Sequence, residues 1–262
     1  MSDAVRYESR GAIGLVTLDR PDNRNSMTPE LLDAFVRAIA QARADADVRC
    51  VVITGTGACF SAGADFRSIL QREDGGPARA PHERSYAMYE PFLSVLDVEV
   101  PVIAACNGHT IGGGFGLALV CDLRVGARGA QYGANFARLG LHPGMAISYL
   151  LPRIVGPSKA AELLFTGRKI DGAEAERIGI LSQALDAADV LPRALALAEE
   201  IAASAPMAVR TTKKTFYRGL GWDVRGAAFT EAFAQAQSLA TADAAEGIAA
   251  LLEKREPRFT GR

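Results

Sequence analysis

Two short runs of small residues carry the chemistry that can be read from this chain. One is Gly112-Gly113-Gly114, which follows the apolar run Val102–Cys106 and leads into an apolar, helix-length segment ending near Asp122. The other is Ser61-Ala62-Gly63-Ala64, which follows the apolar run Cys50–Thr54 and precedes a helical pattern beginning near Asp65. Without bulky side chains such turns leave backbone N–H groups uncovered, and the first N–H groups of a helix have no partner within it. The helix dipole adds positive potential at the same place. One such turn can hold a phosphate or merely let a helix pack closely. Two that converge can receive an oxygen that becomes negative during a reaction. A dinucleotide site does not fit, because no G-x-G-x-x-G follows the strand and no acidic residue stands about twenty positions on.

The elements that must position these turns are strands and helices in alternation. Ile13–Leu18 alternates as a strand and gives way to the polar loop Pro21–Met27, with Arg24 and Asn25. Thr28 caps a helix that has Pro29 at its first position and buries Leu32, Phe35, Ile39 and Ala42. Cys50–Thr54 is apolar on both faces, the pattern of a parallel strand covered on both sides. Gln71–Arg84 is polar and rich in Gly and Pro and reads as a surface loop or lid, with His82 solvated inside it. A helix over Ser85–Leu96 follows. Leu123–Gly126 and Ala130–Gly133 read as short strands, and from Ser158 on the pattern is helical throughout. Asp171 caps one of these helices and Asp243 starts the last. The expected organisation is a core over residues 1–190 that bears the site and a helical region over 191–262. Apolar residues on more than one face of the late helices, Phe229 and Phe233 among them, call for burial against another subunit.

Composition narrows the classes. The chain has 262 residues and a formal net charge of −1, so nothing in its charge attracts nucleic acid. Its 4 cysteines, Cys50, Cys59, Cys106 and Cys121, lack metal-ligand spacing and read as buried reduced thiols. No apolar run reaches membrane-spanning length and the first residues have no signal-peptide core, which makes a cytoplasmic protein the expectation.

In order along the chain, RPDNRNSM (Arg20–Met27), FSAGADF (Phe60–Phe66), NGHTIGGGFGLALVCD (Asn107–Asp122), GLHPG (Gly140–Gly144), AELLFTGRKIDGAEAERIGILSQAL (Ala161–Leu185) and LLEKREPRF (Leu251–Phe259) together resemble the enoyl-CoA hydratase/isomerase, or crotonase, superfamily. The resemblance implies an α/β crotonase-like spiral of repeated β-β-α units with a helical C-terminal trimerisation region, assembled as a homotrimer or dimer of trimers. It implies an acyl-CoA thioester as partner, coenzyme A entering as part of the substrate, and no tightly bound cofactor or metal. By position the two oxyanion donors are the N–H groups of Ala62 and Gly113. Arg24 would meet the coenzyme's phosphates, Ala64 and Asp65 would lie along its pantetheine and adenine, Gly144 would line the acyl pocket, and Lys254 would reach a neighbouring subunit's coenzyme. An aromatic residue of the family is replaced by Leu251.

The departures decide the chemistry. The family's two hydratase glutamates fall on Gly116 and Phe136, neither of which transfers a proton. Gly116 is expected to leave space beside the substrate and Phe136 to make that end apolar. Replacement candidates are His142, whose imidazole suits proton transfer near neutrality and otherwise reads as a turn scaffold, and Glu90, with Tyr86 and Tyr89 on the same helix. His109 reads as packing or solvated, and Asp122 as structural. Two functions stay open: an acyl-CoA enzyme that stabilises an enolate-like oxyanion without efficient hydration, and a non-catalytic acyl-CoA carrier or sensor.

Overall fold

The computed structural model describes residues 4–65, 80–221 and 223–261. Its framework is a unit of two consecutive strands repeated along the chain. A hairpin of β1 (Val5–Arg10) and β2 (Ile13–Leu18) comes first, then α1 (Pro29–Ala44). The repeated pairs are β3 (Cys50–Gly55) with β4 (Cys59–Ser61), β5 (Val102–Cys106) with β6 (His109–Ile111), and β7 (Leu123–Ala127) with β8 (Gln131–Gly133). The helix α2 (Pro81–Leu93) precedes the second pair and α3 (Gly113–Val120) follows it.

The first strand of every pair joins one sheet and the second joins another. The larger sheet runs β1-β2-β3-β5-β7-β10, where β10 is Gln183–Leu185, and the smaller runs β4-β6-β8-β9, where β9 is Ile170–Asp171. Each step from one pair to the next is parallel in both sheets, with Ile53 beside Ala104 and Ala104 beside Arg124 in the larger sheet and Thr110 beside Tyr132 in the smaller. A chain that advances one strand in two sheets at once describes a spiral, and the pair-to-pair segments must cross over outside it. β3 and β5 are buried along their length, except for Gly55; α7 (Ala187–Ala202) packs across both, and α1 across β1 and β2.

The helices α4 (Ile147–Val155), α5 (Pro157–Thr166) and α6 (Gly172–Arg177) lead to α7, and α8 (Pro206–Gly219), α9 (Val224–Leu239) and α10 (Ala242–Glu253) complete the chain. Residue 190 falls inside α7, which packs on the sheet, so a boundary there divides a core element. Thr28 caps α1 through its Oγ1, which accepts from Leu31 N–H at 3.3 Å, and Asp171 caps α6 by accepting from Glu174 N–H at 2.8 Å. The last helix begins one step earlier than its acidic residue suggests. Thr241 accepts from Ala244 N–H at 3.1 Å, while Asp243 accepts from the N–H groups of Thr260 and Gly261 in the returning C-terminal segment. All four cysteines are buried and free, and burial pushes the thiol pKa up in each. Of the loop or lid expected over 71–84, residues 71–79 lie outside the described residues. Among the described residues no helix is long and apolar enough to cross a membrane, and no group of three His, Cys, Asp or Glu side chains is placed to hold a metal.

Candidate active site

The loop Arg20–Met27 is the bracket for the first donor turn. Asn25 is fully buried; its Nδ2 donates to the carbonyls of Thr56 (3.1 Å) and Cys59 (2.9 Å), and its Oδ1 accepts from Arg20 N–H (2.8 Å). Ser61 Oγ returns a bond to the Asn25 carbonyl at 2.8 Å. The two loops are then laced by their backbones, with Ala62 N–H donating to the Arg24 carbonyl at 3.0 Å and Met27 N–H to the Gly63 carbonyl at 2.8 Å.

This lacing corrects the assignment of the first donor. The Ala62 N–H is engaged by Arg24 and cannot meet a substrate oxygen. Two residues on, Ala64 N–H has no acceptor among the described residues, and Ala64 faces the same chamber as Gly113. Between them Gly63 adopts φ 79°, and a Cβ placed on it would stand 2.7 Å from the Gly113 nitrogen. Only glycine lets the two turns touch there.

The second donor belongs to α3. Gly112 enters the helix at φ 57° and ψ −123°, a conformation reserved to glycine. Its own N–H goes to the Gly133 carbonyl at 3.0 Å, which leaves Gly113 N–H as an open first-turn donor. Every residue of α3 is buried, so the positive end of its dipole is little screened by solvent. An oxygen set between Ala64 and Gly113 would receive two preorganised N–H groups, the arrangement that stabilises a developing oxyanion.

Around these donors lies an apolar chamber lined by Met27, Met88, Tyr89, Phe136, Met145 and Leu239, with Leu141 and Gln235 completing it. Among the described residues no carboxylate, lysine, arginine or histidine lines it. Phe136 stands among the lining residues. Gly116 leaves no opening: a Cβ there would overlap that of Met145 and stand 3.1 Å from its Cγ. The Tyr89 ring lies against Gly144, its hydroxyl donates to Gln235 Oε1, and burial pushes its pKa far up.

The other sequence candidates sit elsewhere. His142 is a scaffold residue: its N–H donates to Ser238 Oγ at 2.9 Å, its carbonyl accepts from Gln235 Nε2 at 3.1 Å, and its Nδ1 donates to the Pro143 carbonyl at 2.6 Å. It does not line the chamber. Glu90 is exposed on α2, whereas its neighbours Met88 and Tyr89 face inward. His109 Nδ1 accepts from Gln131 N–H, and Asp122 accepts from Val102 N–H and pairs with Lys213 at 2.8 Å. Tyr86 packs edge-on to Phe229, and His82 stacks on Phe233 at 3.8 Å instead of being solvated. Arg24 and Lys254 are exposed, both at positive φ, and Asp65 adjoins the donor Ala64.

Sequence reading missed Glu231, a buried carboxyl on α9 whose pKa burial pushes up to about 7. Its only sequence signal was an acidic residue at helical spacing from Ala228 and Gln235 on a face otherwise destined for burial.

Residues 8–262 match the family model described as enoyl-CoA hydratase/isomerase. The mitochondrial enoyl-CoA hydratase domain-containing protein 2 of Bos taurus is 36% identical over 259 residues, covering 95% of this chain and 84% of that one. Among solved structures, a carnitinyl-CoA hydratase from Mycobacterium avium superposes with a TM-score of 0.85 at 33% identity over 100% of both chains. An enoyl-CoA hydratase/isomerase from Pseudoalteromonas atlantica T6c superposes with a TM-score of 0.86 at 28% identity, covering 98% of this chain and 100% of that one.

Proposed function

Because the chain belongs to the enoyl-CoA hydratase/isomerase family, we propose that it acts on a coenzyme A thioester whose carbonyl oxygen is received by the N–H groups of Ala64 and Gly113, in enolate-type chemistry other than efficient hydration. The observation that carries this reading is a chamber with two open backbone donors and no carboxylate among its described lining residues. Loss of a proton alpha to a thioester places negative charge on the carbonyl oxygen, and one such donor is worth about 3 kcal/mol to that state. Hydration also needs a base to take a proton from water and an acid to protonate the alpha carbon. Gly116 and Phe136 supply neither. Among the described lining residues Tyr89 carries a phenolic proton, but burial raises its pKa and the proton is donated to Gln235 Oε1, so Tyr89 is neither a base nor a ready acid.

Coenzyme A enters as part of the substrate, with no other cofactor. Arg24 supplies charge for its phosphates, Asp65 lies along its path, and Lys254 reaches a neighbouring subunit's coenzyme. The assembly is a trimer or a pair of trimers. Exposed apolar side chains on the helices support this, Phe165 at 80% and Met207 at 81% among them.

The lack of a lining carboxylate also favours a second reading, a binding protein that holds acyl-CoA without turning it over. Calorimetry with crotonyl-CoA, run beside a hydration assay and turnover assays on several other acyl-CoA classes, separates the cases. The enzyme reading expects binding, turnover of at least one of these thioesters, and hydration about 10⁴-fold or more below a family member with both glutamates. Binding without turnover of any thioester tested gives the carrier. Hydration at ordinary enzyme rates would overturn the assignment of Gly116 and Phe136.

A further inference from the structure

Glu231 is 4% exposed and lies one turn before Gln235 on the inward face of α9. Its Oε1 accepts from Ser148 N–H at 2.8 Å and Ser148 Oγ–H at 2.5 Å, and the N–H groups of Ala146 and Ile147 bear on the same carboxyl. Its Oε2 is buried and has no hydrogen-bond partner among the described residues. A buried carboxyl with an orphan oxygen weakens a core, so packing alone gives no reason for its presence.

What it grips is a strained turn. Met145 and Ala146 have φ values of 64° and 57°, a left-handed conformation that residues with side chains rarely adopt, least of all in succession. Ala146 stands at the N-cap of α4 and has no side chain that could cap it. Consecutive N–H groups at such a turn form a concave anion cradle at the positive end of the helix. Glu231 fills that cradle from another helix. The first residue of the turn is Met145, whose side chain occupies the space beside Gly116 and forms a wall of the acyl chamber with Phe136. Whatever fixes the direction of Met145 therefore fixes the depth of the chamber. Its free volume among the described residues is ≈ 30 Å³, so an acyl chain enters only as a wall yields, and each added carbon demands a larger displacement.

We propose that Glu231 is a specificity-positioning residue: by gripping the turn at Ala146–Ser148 it holds the Met145 side chain as the floor of the acyl chamber and restricts the site to short acyl chains. This rests on the acyl-CoA reading above.

Calorimetry with butyryl- and decanoyl-CoA, and with free CoA as the reference, tests it on the full chain and on Met145→Ala, Glu231→Gln and Glu231→Ala. The unmodified protein is expected to bind butyryl-CoA at least tenfold more tightly than decanoyl-CoA. Met145→Ala should erase that preference directly, Glu231→Ala should erase it through the turn, and Glu231→Gln, which keeps an accepting oxygen of the same reach, should restore most of it. The ratio between chain lengths is the readout because a general loosening of the fold weakens both thioesters alike. Where Glu231→Ala does not fold, Ser148→Ala removes its closest partner and should cut the ratio at least threefold. Equal affinity for both chains in the unmodified protein, or an unchanged ratio in the folded turn variants, overturns the proposal. Failure of every thioester and of free CoA to bind removes the acyl-CoA reading itself and this inference with it.

Discussion

Ala62 and Ala64 carry the same side chain and are separated by one glycine, yet only one of their N–H groups is open. Proline substitution distinguishes them, since it deletes the N–H. Ala64→Pro should lower kcat on any thioester substrate about 10²–10³-fold while free-CoA affinity changes only a few-fold. Ala62→Pro should instead act on stability, because it breaks the bond to Arg24 that ties the two loops; steady-state kinetics beside thermal melts read both. Glu231 allows a second prediction at this scale. Its folded pKa of about 7 stands above the ordinary 4.5, so the folded state holds this proton more tightly than the unfolded one. The stability it contributes is complete below pH 4.5 and is lost as pH rises through 7. The loss is about 3 kcal/mol across that window. Denaturant unfolding from pH 5 to 8 should show a slope in the native protein that is flattened in Glu231→Gln. An equal slope in both would mean that the carboxyl is not the titrating group.

At the scale of elements, the helix α3 aims its first N–H only because Gly112 takes a backbone conformation closed to other residues. Gly112→Ala should cost roughly 1–3 kcal/mol, a melting shift of several degrees for a chain of this size. It should remove turnover more completely than stability, because the Gly113 donor moves with the turn. The packing of α3 on α4 also decides whether position 116 can accept a carboxylate. Position 116 is in contact with Met145 and Ile147, so Gly116→Glu inserts a charge and volume where neither fits. The paired change Gly116→Glu and Phe136→Glu should therefore yield a strongly destabilised protein and no gain in crotonyl-CoA hydration. A stable variant with rising hydratase activity would show that Met145 can vacate its place.

For the molecule as a whole, the late helices leave apolar rings on the surface, with Phe229 at 46% and Phe233 at 43% exposed on α9. His82 and Tyr86 from α2 cover part of this cluster and leave the rest bare. Light scattering should give a mass of three or six chains, and Phe165→Asp with Met207→Asp should shift it toward one. A monomer in the unmodified protein at micromolar concentration would remove the assembly reading. Coenzyme A thioesters should bind calorimetrically while nicotinamide dinucleotides do not.

Local chemistry was enough to read the strands Ile13–Leu18 and Val102–Cys106, the Thr28 and Asp171 caps and the glycine turn before α3. Each depends on period, cap or backbone freedom within a few residues. The resemblance added the family and, as an expectation, the two positions on which its carboxylates would fall. Strand β4 and strand β6 were not legible, since three residues carry no periodicity and exist only because neighbouring turns of the spiral lie beside them. The choice between Ala62 and Ala64 depended on Asn25 and Arg24, more than thirty residues earlier, which take up one N–H and leave the other. Gly116 read as an opening because a sequence shows a missing side chain and not the Met145 that fills its place. Glu231 read as one more acidic residue on a helix; burial against the strained turn before α4, a contact between segments far apart in the chain, gives its carboxyl a raised pKa and a partner in the chamber wall.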